Sequence, residues 1–369
     1  MIEIKTQKQL ENIVNRVITN ETIMIYPLSE DLPYQLYSDL NIGSNTSILG
    51  LGKTKINRNL PANEVKPCAI NVQGAENVYI KGLYITTSDG GLQTDGIVIN
   101  RSGSSYSSGL STGDSSRYDN STVGYQSVSK LGVTIEECVF ENCRIATSIE
   151  ESHNCQIVDN KYISSKSNSI YMYNSRGNII SDNVIEKNSQ SSILLSYSNN
   201  NIIVNNFITE SSIAIALEYS AYNLISKNNI RDNTESYCIN LYDSSFNTIS
   251  SNIISDSNSI GINLNAKSGN NCISNNSLNN NARVGIDLYS SNNSVSNNVI
   301  TSTGNNEQGL RVAGSKNAIF SNQITENSIG ITINGSYIMV YANVCLGNTS
   351  GNIINNGSTN IISTSYNLY

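Results

Sequence analysis

The sequence predicts an all-β protein: a single-stranded right-handed parallel β-helix, a solenoid with a short N-terminal capping helix, forming one domain over residues 1–369. Three observations carry that prediction. The phrase Asn-x-Ile-x-x-Asn-x-Ile recurs, as "NIISDNVIEKN" from Asn178 and then as "NIIVNNFITES", "NLISKNNIRDN", "NTISSNIISDS", "NSVSNNVITST" and "NAIFSNQITEN". Aligned on it, the chain divides into units of about 21 to 24 residues beginning near His153, Arg176, Asn199, Ala221, Ser245, Ser268, Ser291, Ser315 and Ser336. Each unit holds three short segments, such as "NIIS", "NVIEK" and "SILLSYS", in which apolar residues alternate with the period of a half-buried strand. Three strands per turn at a fixed repeat stack coil upon coil at about 4.8 Å.

The elements follow in order. "TQKQLENIVNRVI", residues 6–18, places Leu10, Ile13, Val14 and Val17 on one helical face and predicts a helix over the open end of the stack. Without it, the solenoid would expose its core and a row of unpaired strand groups. "NTSILGLGKTKIN" reads as the first coil. Residues 101–130, Ser/Gly/Tyr-rich and without apolar period, read as a long inserted loop between the strands "DGIVIN" and "GVTIEECVF". Such a loop is either a surface excursion or a flap over one flank. Regular coils occupy residues 153–357. Asn160, Asn183, Asn206, Asn228, Asn252, Asn275, Asn298, Asn322 and Asn343 recur at one register. They are expected to stack at a bend, to bond along a ladder and to take the left-handed conformation of a corner, a purely structural role.

Composition removes several function classes. The formal charge is −7 and no Lys/Arg cluster exists, which argues against nucleic acid as a partner. No apolar run approaches the roughly 18 residues of a membrane span, so no membrane partner is expected. Seven cysteines show no CxxC or Cys/His metal spacing and read as free, buried thiols suited to a reducing compartment. The start "MIEIKTQKQL" lacks the apolar core of a signal peptide, so the expected location is cytoplasmic, or phage-associated and released.

The capping helix, the "ILGLGKTKI" first coil and the Asn-rich coils together resemble the pectate-lyase-like superfamily of right-handed parallel β-helices. The coils look most like NosD-type, carbohydrate-binding and sugar-hydrolase repeats. The resemblance implies polysaccharide lyases, glycoside hydrolases, uronate epimerases or phage tailspikes, because the repeat specifies the fold more strongly than the reaction. "TDGI", Thr94 to Ile97, is similar to one phrase of the polygalacturonases, but their Asp-Asp, Gly-His-Gly and Arg-x-Lys phrases are absent. The Trp-containing phrase of pectate lyases is excluded by a chain without Trp, and the Asp-Pro-His-Asp of mannuronan epimerases is missing.

The third strand of each coil exposes a readable face by its two-residue pleat. One outward row is Tyr171, Leu194, Ala216, Asn240, Asn263, Asp287, Arg311 and Thr332; its neighbour is Tyr173, Ser196, Glu218, Tyr242, Asn265, Tyr289, Ala313 and Asn334. Tyr rings pack on the apolar side of sugars, while amides, carboxylates and guanidinium groups bond hydroxyls. Tyr171, Tyr173, Asn240, Asn263, Asn265 and Tyr289 are therefore candidate substrate-binding residues, and Glu218, Tyr242, Asp287 and Arg311 candidate catalytic ones. Glu218 and Asp287 lie three coils apart, about 14 Å, too far for the roughly 6.5–9.5 Å of an inverting glycosidase pair. Glu218 with Tyr242 is the more plausible acid/base couple, and Asp287 with Arg311 reads as an ion pair or a clamp for a substrate carboxylate. A second cluster, Asp95, Arg101, Arg144, Glu150 and the only His, His153, borders the long loop; the His is expected to be solvated on a turn. Calcium could sit near Glu150 and Glu151, but their spacing matches no calcium loop, and no other cofactor is implied. The expected function is a lyase or hydrolase acting on an extended acidic or amino-sugar-rich glycan. Rival expectations are a non-catalytic glycan-binding or adhesion β-helix, monomeric or homotrimeric, and a cytosolic isomerase or epimerase on a smaller substrate.

Overall fold

The structure, a computed structural model, describes residues 1–28, 32–59, 67–90, 93–102, 132–301 and 308–363. All but the first two residues of the expected loop 101–130 lie outside the described residues. The chain winds repeatedly through three sheets, and every pairing between successive coils is parallel. The first sheet has 15 strands, from Ile2–Ile4 to Ile361–Ile362. The second has 13, from Tyr34–Leu36 to Val344–Leu346, and the third has 13, from Leu40–Ile42 to Gly351–Asn355.

Pleating explains why such short strands suffice. In the three-residue strands of the first sheet from Gln156–Val158 onward the central residue points inward, which stacks Ile157, Ile180, Ile203, Ile225 and Ile249 in one fully buried column. Each such side chain contributes about 1.5–3 kcal/mol on burial. Where the second sheet turns into the third, the interior narrows and only small residues fit. A Cβ on Gly285 would lie 2.5 Å from Ile300 Cγ2 and 2.6 Å from the carbonyl oxygen of Gly309. All seven cysteines are unpaired, and every one but Cys272 is buried.

The N-terminal helix is α1, Gln7–Val14, shorter than the expected 6–18. Thr6 starts it with a capping box: Gln9 N–H donates to Thr6 Oγ1 at 3.3 Å, and Thr6 N–H donates to Gln9 Oε1 at 3.0 Å. Leu10, Ile13 and Val14 are buried as expected, but Val17 is 65% exposed. The helix stops early because the next segment joins the solenoid: Ile18 forms a parallel bridge to Ile42.

The asparagine column exists at the corner between the first and second sheets, with one correction. Asn276, not Asn275, is the sixth member: Asn252 N–H donates to Asn276 Oδ1 at 3.0 Å, and Asn276 N–H donates to Asn298 Oδ1 at 2.9 Å. The left-handed residue is the one before each ladder Asn. Asp159, Asp182, Asn205, Lys227, Ser251, Asn275, Asn297, Ser321 and Ala342 all have φ between 54° and 60°. The column imposes that conformation even on Lys227 and Ala342, at a cost of about 1–2 kcal/mol each. Hydrogen bonds offset it. Asn183, for example, uses its side-chain amide to bond Ile157 O at 2.9 Å and Asn206 Oδ1 at 2.9 Å. A second column, Asn178, Asn201, Asn223, Asn247, Asn271, Asn293 and Asn317, does the same at the corner between the third and first sheets.

Candidate functional site

The outer face of the third sheet assembles most of the residues singled out from the sequence. Strand register aligns Ser148, Tyr171, Leu194, Ala216, Asn240, Asn263, Asp287, Arg311 and Thr332 in one row. The neighbouring row runs Asn100, Glu150, Tyr173, Ser196, Glu218 and Tyr242. Asn265 and Tyr289 continue it one residue past their strands, their amides bonding Leu241 O at 3.1 Å and Leu264 O at 2.9 Å.

At the C-terminal part of this face, Asp287 and Arg311 form a forked ion pair. Arg311 Nε donates to Asp287 Oδ1 at 2.8 Å, and Nη2 donates to Oδ2. Arg311 Nη2 also donates to the Tyr289 hydroxyl at 2.7 Å, with its Cζ 5.0 Å from that ring's centroid. The Asp287 side chain is wholly buried, and its forked pairing with the guanidinium offsets the cost of burying a charge. Beside the pair, Asn263 donates to Asn240 Oδ1 at 2.7 Å.

Glu218 and Tyr242 are register partners one coil apart, as expected, and no hydrogen bond joins them. The Tyr242 ring packs edge-on against Tyr219 at 5.5 Å instead. That contact ends an aromatic column: Tyr173 to Tyr197 at 5.9 Å edge-to-face, Tyr197 to Tyr219 at 4.8 Å stacked, then Tyr242. Tyr173, Tyr197 and Tyr242 are 40%, 43% and 46% exposed. Sequence reasoning missed Tyr197 and Tyr219 because they are not strand residues. They occupy left-handed turn positions, φ 51° and 50°, directly after Ser196 and Glu218. The signal was present: in "LSYSN" and "LEYSA" the Tyr precedes the serines of a buried ladder, Ser198 N–H donating to Ser220 Oγ at 3.0 Å. Tyr171 sits half-buried below the column, and its hydroxyl pKa is raised by burial first and by Glu150, Tyr173 and Glu218 next.

The second cluster does not form a single site. Asp95 is buried; Arg144 Nη2 lies 2.6 Å from its Oδ2, and Ile145 N–H donates to its Oδ1 at 3.1 Å. Burial nevertheless raises the Asp95 carboxyl pKa, outweighing Arg144. Arg101 Nε pairs with Glu151 Oε2 at 2.9 Å at the other end of the strand Asp95–Asn100, about 17 Å along it. His153 is buried, not solvated, because its turn bridges to Arg176 of the next coil; its Nδ1 accepts from the Arg176 amide at 3.3 Å. Burial, then Arg176, lowers its pKa. Glu150 belongs with the tyrosine face, accepting from Ser148 Oγ at 3.1 Å. A separate cavity of about 730 Å³ lies at the corner of the first coils, lined by Leu49, Leu51, Lys53, Lys55, Leu83 and Tyr84 among others; none of the candidate residues reaches it.

Residues 146–300 match the right-handed β-helix region family, and residues 234–367 match the family described as periplasmic copper-binding protein (NosD). No curated protein matches the chain in sequence. The donor set does not suit copper: residues 234–367 contain no His, and among the described residues no three His, Cys, Asp or Glu side chains converge. Among solved structures, the Dettilon tailspike protein is 15% identical over 95% of this chain and 64% of its own, with a TM-score of 0.58. The catalytic domain of a GH87 α-1,3-glucanase in complex with tetrasaccharides is 15% identical over 99% of this chain and 65% of its own, TM-score 0.57. PfbA, a surface adhesin of Streptococcus pneumoniae, is 12% identical over 90% and 87%, TM-score 0.55. The chain thus spans just under two thirds of the first two. At these identities the likeness is one of fold.

Proposed function

We propose that this chain, a member of the pectate-lyase-like superfamily of right-handed parallel β-helices, binds an extended glycan along the outer face of its third sheet. The observation that carries the reading is the column Tyr173, Tyr197, Tyr219 and Tyr242, which sets one ring per coil, all but Tyr219 exposed, along the axis on which a polymer would lie. Ring faces take the apolar side of sugars, and the Asn240–Asn263 amides beyond the column offer donors and acceptors to hydroxyls. That two of the similar folds are a tailspike and a glucanase crystallised with tetrasaccharides agrees with a sugar ligand.

Hydrolysis or β-elimination is the second reading, and Glu218 is the observation that favours it. It is half-buried at the end of Ile213–Glu218, within the column, and among the described residues no cation pairs with it. Asp287 and Arg311 spend their charges on each other, which makes them a support for Tyr289 and not a free acid and base. The test is a panel of soluble oligosaccharides assayed together for binding, for new reducing ends and for the ultraviolet absorbance of unsaturated uronates. Binding without product supports a glycan receptor. Product that disappears in Glu218→Gln supports catalysis. No binding to any member of the panel removes the proposal.

A further inference from the structure

Resting on the reading of this face as a glycan-binding surface, we propose that its preferred ligand is a glycan of positively charged amino sugars and not one of uronic acids. The five strands beneath the tyrosine column, Thr147–Glu150, Ile170–Tyr173, Ser191–Ser196, Ile213–Glu218 and Tyr237–Tyr242, read TSIE, IYMY, SSILLS, IAIALE and YCINLY. They contain two carboxylates and neither a lysine nor an arginine. Glu150 and Glu218 stand in one outward row, separated by Tyr173 and Ser196, three coils or about 14 Å apart.

Four of the cations that border the face are already committed, while Arg176, in the turn after Ile170–Tyr173, and Arg283, just before Val284–Leu288, form no salt bridge among the described residues. Arg144 holds Asp95, Arg101 holds Glu151, Lys267 holds Asp243 at 3.4 Å, and Arg311 holds Asp287. Among the described residues neither Glu150 nor Glu218 forms a salt bridge, so both charges act outward. Burial is the main cause of the raised Tyr171 pKa, and Glu150 and Glu218 add to it. A polyuronate laid on the column would bring like charges against two half-buried carboxylates, an arrangement that rejects a ligand. An ammonium group would instead form a charge-assisted hydrogen bond to either Glu and could rest over an adjacent Tyr face.

Calorimetric titration of the whole chain with the tetramers of glucosamine, N-acetylglucosamine and galacturonate, at slightly acidic pH and at low and high salt, tests this. The expected result is that the glucosamine tetramer binds about tenfold or more tighter than the N-acetylated one at low salt. That advantage should shrink with salt and vanish in the Glu150→Gln/Glu218→Gln variant, whose unfolding midpoint is checked in parallel. The N-acetylated tetramer should lose much less than the glucosamine tetramer in that variant and should weaken in Tyr197→Ala/Tyr219→Ala. Equal or tighter binding of the uncharged or uronate tetramer, still lost in the Tyr variant, would overturn the charge inference and leave the glycan-binding reading standing. Glucosamine binding that survives the Tyr variant would place it elsewhere and also overturn the inference. Failure of all three to bind would overturn both.

Discussion

The asparagine column at the first corner and the tyrosine column beside the third sheet climb the same coils at the same spacing, yet their states are opposite. Asn183, Asn206 and Asn228 are buried, and each bonds to the coil on either side. Tyr173, Tyr197 and Tyr242 are exposed and bond largely to one another. A repeat fold makes both by one rule, since whatever stands at a position in one coil meets its equivalent in the next. The difference teaches which repetition stabilises and which is available to a ligand: the first leaves no polar group unpaired, whereas the second leaves exposed rings and half-buried carboxylates at the surface.

Breaking the buried column should cost most. Asn228→Leu strips partners from the Asn206 amide, from Ile203 O and from Asn252 Oδ1. Its expected cost is about 3–5 kcal/mol, read as a fall in the urea midpoint. Next comes Arg311→Ala, which abandons a buried carboxylate. We expect a loss of about 3 kcal/mol, substantially recovered in Asp287→Asn/Arg311→Ala, where no charge is stranded. A smaller stability effect is expected at the exposed column. Tyr197→Ala removes two ring contacts and should cost only about 0.5–1.5 kcal/mol, while oligosaccharide affinity drops about tenfold.

The smallest effect is a pH dependence at His153. Its folded pKa is lowered by burial, so the unfolded chain binds the proton more readily. Stability present above the ordinary histidine pKa of about 6.5 should therefore decline as pH falls below it. His153→Gln should flatten that decline in thermal unfolding scans across this range, and an unchanged profile would contradict the burial argument.

What was legible in the sequence follows from the same contrast. The coil repeat, its three strands and both outward rows of the third sheet could be read directly, because buried apolar residues flank the outward Tyr171, Asn240, Asp287 and Arg311 on either side. Asn276 was legible where Asn275 was chosen: counted from Asn271, the phrase puts its second Asn at 276 and its next apolar residue at Leu278, and the hydrogen bond from Asn252 agrees. Tyr197 and Tyr219 were missed because pleat reasoning ends with the strand, whereas their rings stack from the turn beyond it. His153 was misjudged since burial at a corner is set by the next coil's Arg176 and leaves no local pattern. Val17 fits a helical face, but the strand-like pairing of Ile18 with Ile42 ended the helix first.

The division between a column that holds the fold and a column that holds a ligand is tested most directly by Tyr197→Ala/Tyr219→Ala, with the urea midpoint and the affinity for a bound oligosaccharide measured on the same preparation. We predict a nearly unchanged midpoint with affinity reduced about tenfold or more. Unchanged affinity, or a loss of affinity that merely tracks unfolding, would contradict it.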